Sequence, residues 1–577
     1  MSSMAKSTDS TKGSAQAARI PTWYEVLSTH LLAKFPQTDE ATQHAIAQCI
    51  VDLGLALEQG DTCLFQTNDA GVESAWLSHP LLVRDELALE TPAPLVVMSD
   101  KQNSGQYIYF YRHWQQEWQL AERLAALLNP ATAPKAVHVD LNSEKSLKDL
   151  QKQAIELAAK SPFTLITGGP GTGKTYTLAR IVKALQQAEP HLRVALAAPT
   201  GKAAQRMQSV LAAEFLRAGI DHLKVQNAQT IHRLLGLGGR STPRYHRYET
   251  LPFDLIVIDE GSMLDLALAS LLFDAIAVGT RVIILGDADQ LAAVDAGAVL
   301  ADLGATDALK PYRVHLQESN RFKADEGIGL LANGVLQQDD ASVLAALGNA
   351  QVQYFDLGVL EKNKIFNQLW QGFSAYLTCL ESLKFASHPL SADQIKELFA
   401  AFDQYRVLCA QRHGDYGANI INQTLGDYLQ NALSDQSVRS GGWYVGRPVM
   451  VTRNDYGLKL SNGDIGVCLA DENGRLWVYF PDRVAPIAAT RLPPEQIETA
   501  FALTIHKSQG SEFSVVAMVL DVYAEEMLMR ELVYTAITRA KQCIQVWSDK
   551  TVLLNAIHRK INRISGLKSH IERELVC

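Results

Sequence analysis

The stretch TLITGGPGTGKTYTLARIV, beginning at Thr164, constrains the fold more than any other part of the chain. An apolar run turns into glycines, then into a lysine and two threonines, then into apolar residues at helical spacing. That order calls for a strand, a tight loop and a helix in series. Gly168, Gly169, Gly171 and Gly173, with Pro170 and Thr172 between them, let backbone N–H groups face an anion. The N-terminus of the following helix adds partial positive charge. Lys174 is then placed to neutralise β- and γ-phosphates, and Thr175 to hold Mg²⁺. A glycine-rich turn with a chance lysine is the competing reading, and the flanking strand and helix weigh against it. The segment points to a nucleotide and to little more.

The neighbouring pattern supplies what a nucleotide site needs. FTLIT, RVALAAP, DLIVIDE and RVIILGD are apolar runs separated by helical segments, and each runs into a polar turn. Runs of this kind form a parallel sheet buried on both faces. Ligands bind beyond the carboxyl ends of such strands. At one of those ends Asp259 is placed to position Mg²⁺ and Glu260 to activate an attacking water. At another, Gln290 is placed to bond both a γ-phosphate and a neighbouring domain. Taken alone, either end also reads as an ordinary solvated turn.

The remainder of the 577 residues has the length for about three or four domains. Residues 1–20 read as a disordered tail without the apolar core of a secretory signal. Residues 21–128 read as a mostly helical domain with two strands around an Asn-Ser-Gly turn, suited to docking or scaffolding. Residues 129–140, with two prolines, read as a linker. A first α/β unit covers 141–310 and a second covers 311–577. Within the second, the residues near 445–500 read as a small β-barrel insertion, SH3-like in size. The net charge of −9 excludes a wholesale basic coat for nucleic acid, but not a local groove that tracks one strand. The seven cysteines form no CxxC pair, which argues against a zinc ribbon or a four-cysteine iron–sulfur site. No apolar run reaches the roughly 20 residues that span a bilayer. A cytoplasmic location is expected.

GGPGTGKT, APTGKAAQRM, AQTIHRLLG, VIDEGSM, GDADQL, ESNRF, ALTIHKSQGSEF and YTAITRAK occur in that order. The set resembles the ordered motifs of superfamily 1 helicases, in the branch that moves 5′ to 3′. ESNRFKADEGIGLLANGV and GRPVMVTRNDYGLKLSNGDIGV resemble the RecD family, the alpha subunits of RecBCD (exodeoxyribonuclease V) complexes. The likeness covers the chain after its tail. It implies two RecA-like motor domains with ATP between them. It also implies a helical N-terminal domain that docks on a RecC-like chain, and a RecB-like chain that carries the nuclease. Single-stranded and double-stranded-end DNA are the implied partners.

Residue by residue, the resemblance implies that Gln151 reads adenine. Arg321 and Arg539 would reach the γ-phosphate from the second motor domain; a planar guanidinium suits charge spread over transferring oxygens. Pro199, Thr200, Lys202, Thr230 and His232 match segments that touch the DNA backbone, and Thr504 and His506 match a motif that couples DNA to nucleotide. The one departure is Gly261, where the family commonly has alanine. LGGRSTPRYHRYET, near 236–251, interleaves Arg240, Arg244 and Arg247 with tyrosines. It reads either as a hairpin that guides a strand or as a solvated loop. A structural or regulatory ATPase subunit and a stand-alone helicase remain alternatives, and backbone contacts of this type do not separate DNA from RNA.

Overall fold

The computed structural model describes residues 21–67, 78–100, 104–139, 141, 146–217, 226–237, 242–319, 321–322, 324–383, 388–433, 439–455, 457–481, 483 and 485–576. The expected tail at 1–20 and Arg240 of the expected hairpin lie outside these residues. The chain divides into two compact units, Met1–Trp114 and Gln115–Cys577.

In the first unit, helices Trp23–Leu32 and Glu40–Glu58 accompany a four-stranded sheet. Its strands are β1 (Leu64–Thr67), β2 (Leu82–Arg84), β3 (Leu95–Asp100) and β4 (Gly105–Phe110), in the order β1-β4-β3-β2. β3 and β4 are the antiparallel pair expected from the sequence. β1 and β2 are too short for periodicity to reveal. Ile46, Ile50 and Leu53 of the second helix close the core against Leu95, Val97 and Ile108.

The second unit holds two parallel sheets. The first contains β5 (Phe163–Gly168), β6 (Val194–Ala198), β7 (Gln229–Thr230), β8 (Leu255–Ile258), β9 (Arg281–Gly286) and β10 (Arg313–Leu316). Their order is β10-β5-β9-β8-β6-β7, all parallel. Successive side chains serve opposite cores. Leu165, Ile256, Ile258, Val282 and Ile284 face one, while Ile166, Leu255, Val257, Ile283 and Leu285 face the other. Burial on both faces is why these strands read as unbroken apolar runs rather than alternating ones.

The second parallel sheet runs β11-β22-β21-β12-β20. Its strands are β11 (Val352–Phe355), β12 (Tyr405–Cys409), β20 (Ala502–Thr504), β21 (Phe513–Leu520) and β22 (Ala540–Ser548). Between β12 and β20 lie a two-residue ribbon, β13 (Arg439–Ser440) with β14 (Trp443–Tyr444), and an antiparallel five-stranded sheet. The latter comprises β15 (Pro448–Val451), β16 (Ile465–Ala470), β17 (Leu476–Tyr479), β18 (Ile487–Ala488) and β19 (Ile497–Thr499). It has its own small core, including Val449, Cys468, Val478 and Phe480. Asp471 fixes one of its turns by accepting from the backbone N–H groups of Asn473 (2.9 Å) and Arg475 (2.8 Å) and from the indole of Trp477 (3.0 Å).

Three expected boundaries move. The division falls at Trp114, not at 128, because Leu120, Ala121 and Leu124 of the helix Tyr111–Leu128 are buried in the core of the first parallel sheet. β10, assigned from sequence to the second α/β unit, pairs with β5 of the first. The C-terminal helix Leu567–Val576 also leaves the second α/β unit: Leu567 and Ile571 join Leu303 and Leu309 in the core of the first parallel sheet. In each case the local pattern specifies an element, and only packing decides which sheet it covers. The expected linker at 129–140 is tied down as well, since the N–H of Val137 donates to Ala159 O (2.9 Å). Among the described residues no helix is long and apolar enough to cross a membrane.

Ile571 is fully buried, so Ile571→Ala should destabilise the first parallel-sheet unit by about 2–5 kcal/mol. Denaturant unfolding of the full chain measures this. An unchanged unfolding midpoint would mean that the C-terminal helix does not belong to that core.

Candidate active site

The loop after β5 is shaped by its glycines. Gly171 (φ 77°) and Gly173 (φ 85°) occupy left-handed conformations that other residues adopt only with strain. A Cβ on Gly171 would lie 2.5 Å from Cβ of Arg321 and 2.7 Å from Oγ of Ser319. The loop is thus pressed against the segment that follows β10. The Ser319 hydroxyl donates to Pro170 O (3.0 Å) and accepts from the Arg321 N–H (3.1 Å). Gly173 opens the helix Lys174–Ala188. Lys174 folds over its own loop, its ammonium donating to Gly168 O (2.5 Å) and Gly169 O (3.1 Å). The Thr172 hydroxyl donates to Gly169 O (2.8 Å), and Thr175 stands half-buried in the first turn of the helix.

Asp259 and Glu260 follow β8. Glu260 is left-handed at φ 53°, ψ 42°, which costs an L-residue roughly 1–2 kcal/mol. Strain of that kind concentrates where geometry is imposed by function. Burial and the adjacent Glu260 charge push the Asp259 carboxyl above its ordinary range, against the N–H of Glu260 and the charges of Lys174 and Arg206. Among the described residues no three His, Cys, Asp or Glu side chains gather into a metal cage. A hydroxyl and a carboxylate beside a phosphate-shaped loop are instead the donors magnesium takes when phosphate oxygens complete its shell.

Past β9, Asp287, Gln290 and Leu291 meet the helix Arg530–Ile537, Arg539 and Gln509 of the second α/β unit. Arg539 is 3% exposed; its Nη2 donates to Oε1 of Gln290 (2.7 Å), and its other nitrogens donate to Thr535 O (3.2 Å) and Ser511 O (3.3 Å). Nε2 of Gln290 donates to Asp287 (2.9 Å), which also accepts from the Tyr534 hydroxyl (3.3 Å). The Thr535 hydroxyl accepts from the N–H of Leu291 (2.8 Å), and Nε2 of Gln509 donates to Leu291 O (2.7 Å). One short loop of the first motor is thus held by the helix Arg530–Ile537, by Arg539 just beyond it, and by the turn after β20.

Glu512 was not singled out from sequence, yet it is a hub. Its carboxylate pairs with Arg206 of the first motor, with Arg321 (2.9 Å) and with Lys541 (3.7 Å). Burial alone would raise its pKa, but Arg206 and Arg321 hold it down to about 2. Asp287 and Arg206 were also missed. Asp287 follows directly on a quoted strand, which is the signal that was available. Arg206 sits inside APTGKAAQRM, with no local cue to what it meets 306 residues later.

The other predicted positions divide. Gln151 is buried and turned back on its own helix, its Oε1 accepting from the N–H of Lys148 (3.1 Å). Thr200 and Thr230 cap the starts of helices, accepting from Ala203 (3.3 Å) and Arg233 (3.2 Å), with Pro199 half-buried beside the former. His232 is exposed, and Thr504 and His506 are half-buried. Thr504 lines a cavity of about 350 Å³ with Arg412, Asn422, Arg447 and Lys507. Lys202 is drawn into the second motor: its ammonium lies 5.8 Å from the centroid of the Phe513 ring. Burial pushes its pKa down to about 8, with Asp403 and Asp464 opposing and Arg406 and Arg206 adding to the shift. In the loop expected to be a hairpin, Arg247 is bound to Asp274 (2.8 Å) and Arg244 to Glu249 (3.4 Å), while Tyr248 is 90% exposed.

Two family models match the chain: an AAA domain over residues 151–296 and a UvrD-like helicase C-terminal domain over residues 499–544. The RecBCD enzyme subunit RecD of Haemophilus influenzae is 34% identical over 521 residues, 81% of this chain and 80% of that protein. The RecBCD enzyme subunit RecD of Mycolicibacterium smegmatis is 35% identical over 480 residues, 81% of this chain and 82% of that protein. The ATP-dependent RecD2 DNA helicase of Deinococcus radiodurans is 30% identical over 456 residues, 78% of this chain and 56% of that protein.

The depressed pKa of Glu512 has a pH signature. Its pairing contributes fully above the ordinary carboxyl value of 4.5 and is lost as pH falls through about 2. Glu512→Gln should lower stability at neutral pH by on the order of 2–3 kcal/mol. The gap to the wild type should then close between about pH 4.5 and 2. Urea midpoints measured across pH test this; a gap independent of pH would remove the ion-pair explanation.

Proposed function

The chain belongs to the RecD family, and from that membership we propose that it is an ATP-driven, 5′-to-3′ single-stranded-DNA translocase and DNA helicase. It would act as the motor alpha subunit of a RecBCD-type complex that processes double-strand DNA ends. The direction rests on the family alone. The observation that carries the motor reading is the bond from Arg539 to Gln290, which joins the two motor domains beside the phosphate loop. RecD relatives align over about four-fifths of their length, against 56% of the RecD2 helicase, which favours a complex subunit over a stand-alone enzyme. RecB-like and RecC-like chains are the partners this reading requires.

Each residue then has a task. The glycine loop presents N–H groups to phosphate oxygens, and Lys174 exchanges its two carbonyl acceptors for the β- and γ-phosphates. Thr175 and Asp259 would hold Mg²⁺, which would supply positive charge to offset that of the transferring phosphate. Glu260, in its strained conformation, orients the attacking water and takes its proton. Gln290 bonds to the γ-phosphate. Arg539 and Arg321, now held by Gln290 and Glu512, turn to the transferring oxygens as the cleft closes. Gln151 meets the base. Thr200, Thr230, His232, Thr504 and His506 contact the strand's backbone, and Lys202 senses the position of the second motor rather than the strand alone. Closing and opening the cleft alternates the grip of the two motors on DNA.

Full-length protein should hydrolyse ATP slowly alone and faster with single-stranded DNA, and Lys174→Gln should abolish both rates. Arg539→Ala should bind ATP with near-normal affinity yet lose about 10³-fold or more in turnover. Normal turnover in Arg539→Ala would sink the shared-site assignment. A wild type that DNA does not stimulate would sink the motor.

A further inference from the structure

The chain passes between the two motors a second time, at its C-terminal end. Arg559 and Ile561 are still held by the second motor. Arg559 O accepts from the N–H of Arg530 (2.8 Å), its guanidinium pairs with Glu525 (3.3 Å), and the Ile561 N–H donates to Oε2 of Glu531 (3.2 Å). Two residues later the chain is held by the first motor. Arg563 donates to the carbonyls of Ala293 (2.6 Å), Gly297 (2.9 Å) and Asp295 (3.1 Å). Ser565 then donates to the buried Glu117 (2.9 Å), and Leu567 and Ile571 lie in the first motor's core.

The partners at both ends matter. Glu531 is on the helix Arg530–Ile537, whose Tyr534 and Thr535 touch Asp287 and Leu291. The carbonyls that Arg563 binds begin two residues after Leu291. The same helix is therefore tied to the same loop twice, once directly and once through the strap. Two residues of chain span at most about 7 Å, so little slack separates the two attachments. Backbone carbonyls do not titrate, and a guanidinium fork binding three of them fixes the loop's shape rather than merely neutralising a charge. Burial lowers the pKa of His506 and the charge of Arg563 adds to it, which puts the strap within electrostatic reach of a residue assigned to the DNA strand.

We infer that Arg563 is a positioning residue for the motor reaction: it keeps the loop Ala293–Gly297, and through it Gln290, in register with the helix Arg530–Ile537 and with Arg539 beyond it while the cleft opens and closes. This rests on the motor reading and adds a mechanical link from the C-terminal strap to the nucleotide site. Arg563 touches neither reacting atoms nor phosphate.

The test is the ATPase of full-length Arg563→Ala and Arg563→Lys, with and without a poly-deoxythymidine strand. Arg563→Ala should keep its KM for ATP within about twofold and should lose less of its DNA-free rate than of its stimulated rate. It should lose at least about fivefold in DNA-stimulated kcat, and Arg563→Lys, which also donates to carbonyls, should recover part of that. Full stimulation in a folded Arg563→Ala would overturn the inference, and so would an equal fall in stimulated and basal rates with no rescue by lysine. Hydrogen exchange on the wild type needs no variant: adding a non-hydrolysable ATP analogue should change protection of 290–297 and 559–566 together. A change in 290–297 alone would overturn the strap. Absence of DNA stimulation in the wild type would instead overturn the motor reading, which the exchange result does not depend on.

Discussion

A buried guanidinium with neutral partners is the interaction on which the cleft depends. Arg539 is almost wholly enclosed, yet its bonds go to an amide and two backbone carbonyls. Burying a charge is costly unless acceptors replace water, and neutral acceptors replace it less well than an anion does. Glu260, Glu512 and Asp287 offset the buried charge from beyond bonding distance, so the side chain is held by dipoles and not by a direct ion pair. Gln290 suits the holding role because an amide can accept from Arg539 and donate to Asp287 at once.

Arg321 is held on a different principle. Its partner Glu512 is anionic and is shared with Arg206 and Lys541. A carboxylate bound by several cations divides its attraction among them, so removing one leaves the rest compensated. Arg206 comes from the first motor and Lys541 from the second, which makes the same carboxylate a contact between domains. Two arginines with matching assignments in sequence are thus restrained in different ways, one by dipoles and one by charge.

The two chain crossings give the motors a shared mechanical frame. The first, after β10, brings Ser319 and Arg321 onto the phosphate loop. The second brings Arg563 onto the loop beyond Gln290. Both end at strand termini of the first parallel sheet, because a sheet buried on both faces leaves only its edges and ends accessible.

Much of this was legible in the chain. The buried strands announce themselves as apolar runs, because a strand covered on both faces has no polar side to show. The places of the glycine loop, Asp259, Glu260 and Gln290 in the fold follow from them, since each of these strands ends in a polar turn. The identity of Arg321 and Arg539 came from resemblance, not from local pattern. What the sequence left undecided is partnership. An amphipathic helix specifies that it must cover something, but not what: hence Leu120 and Ile571, distant in the chain, share one core. In the same way, nothing near Glu512 or Arg563 foretells the groups they meet. Most of those contacts join residues a hundred or more positions apart, and only the packing of the two α/β units brings them within bonding distance.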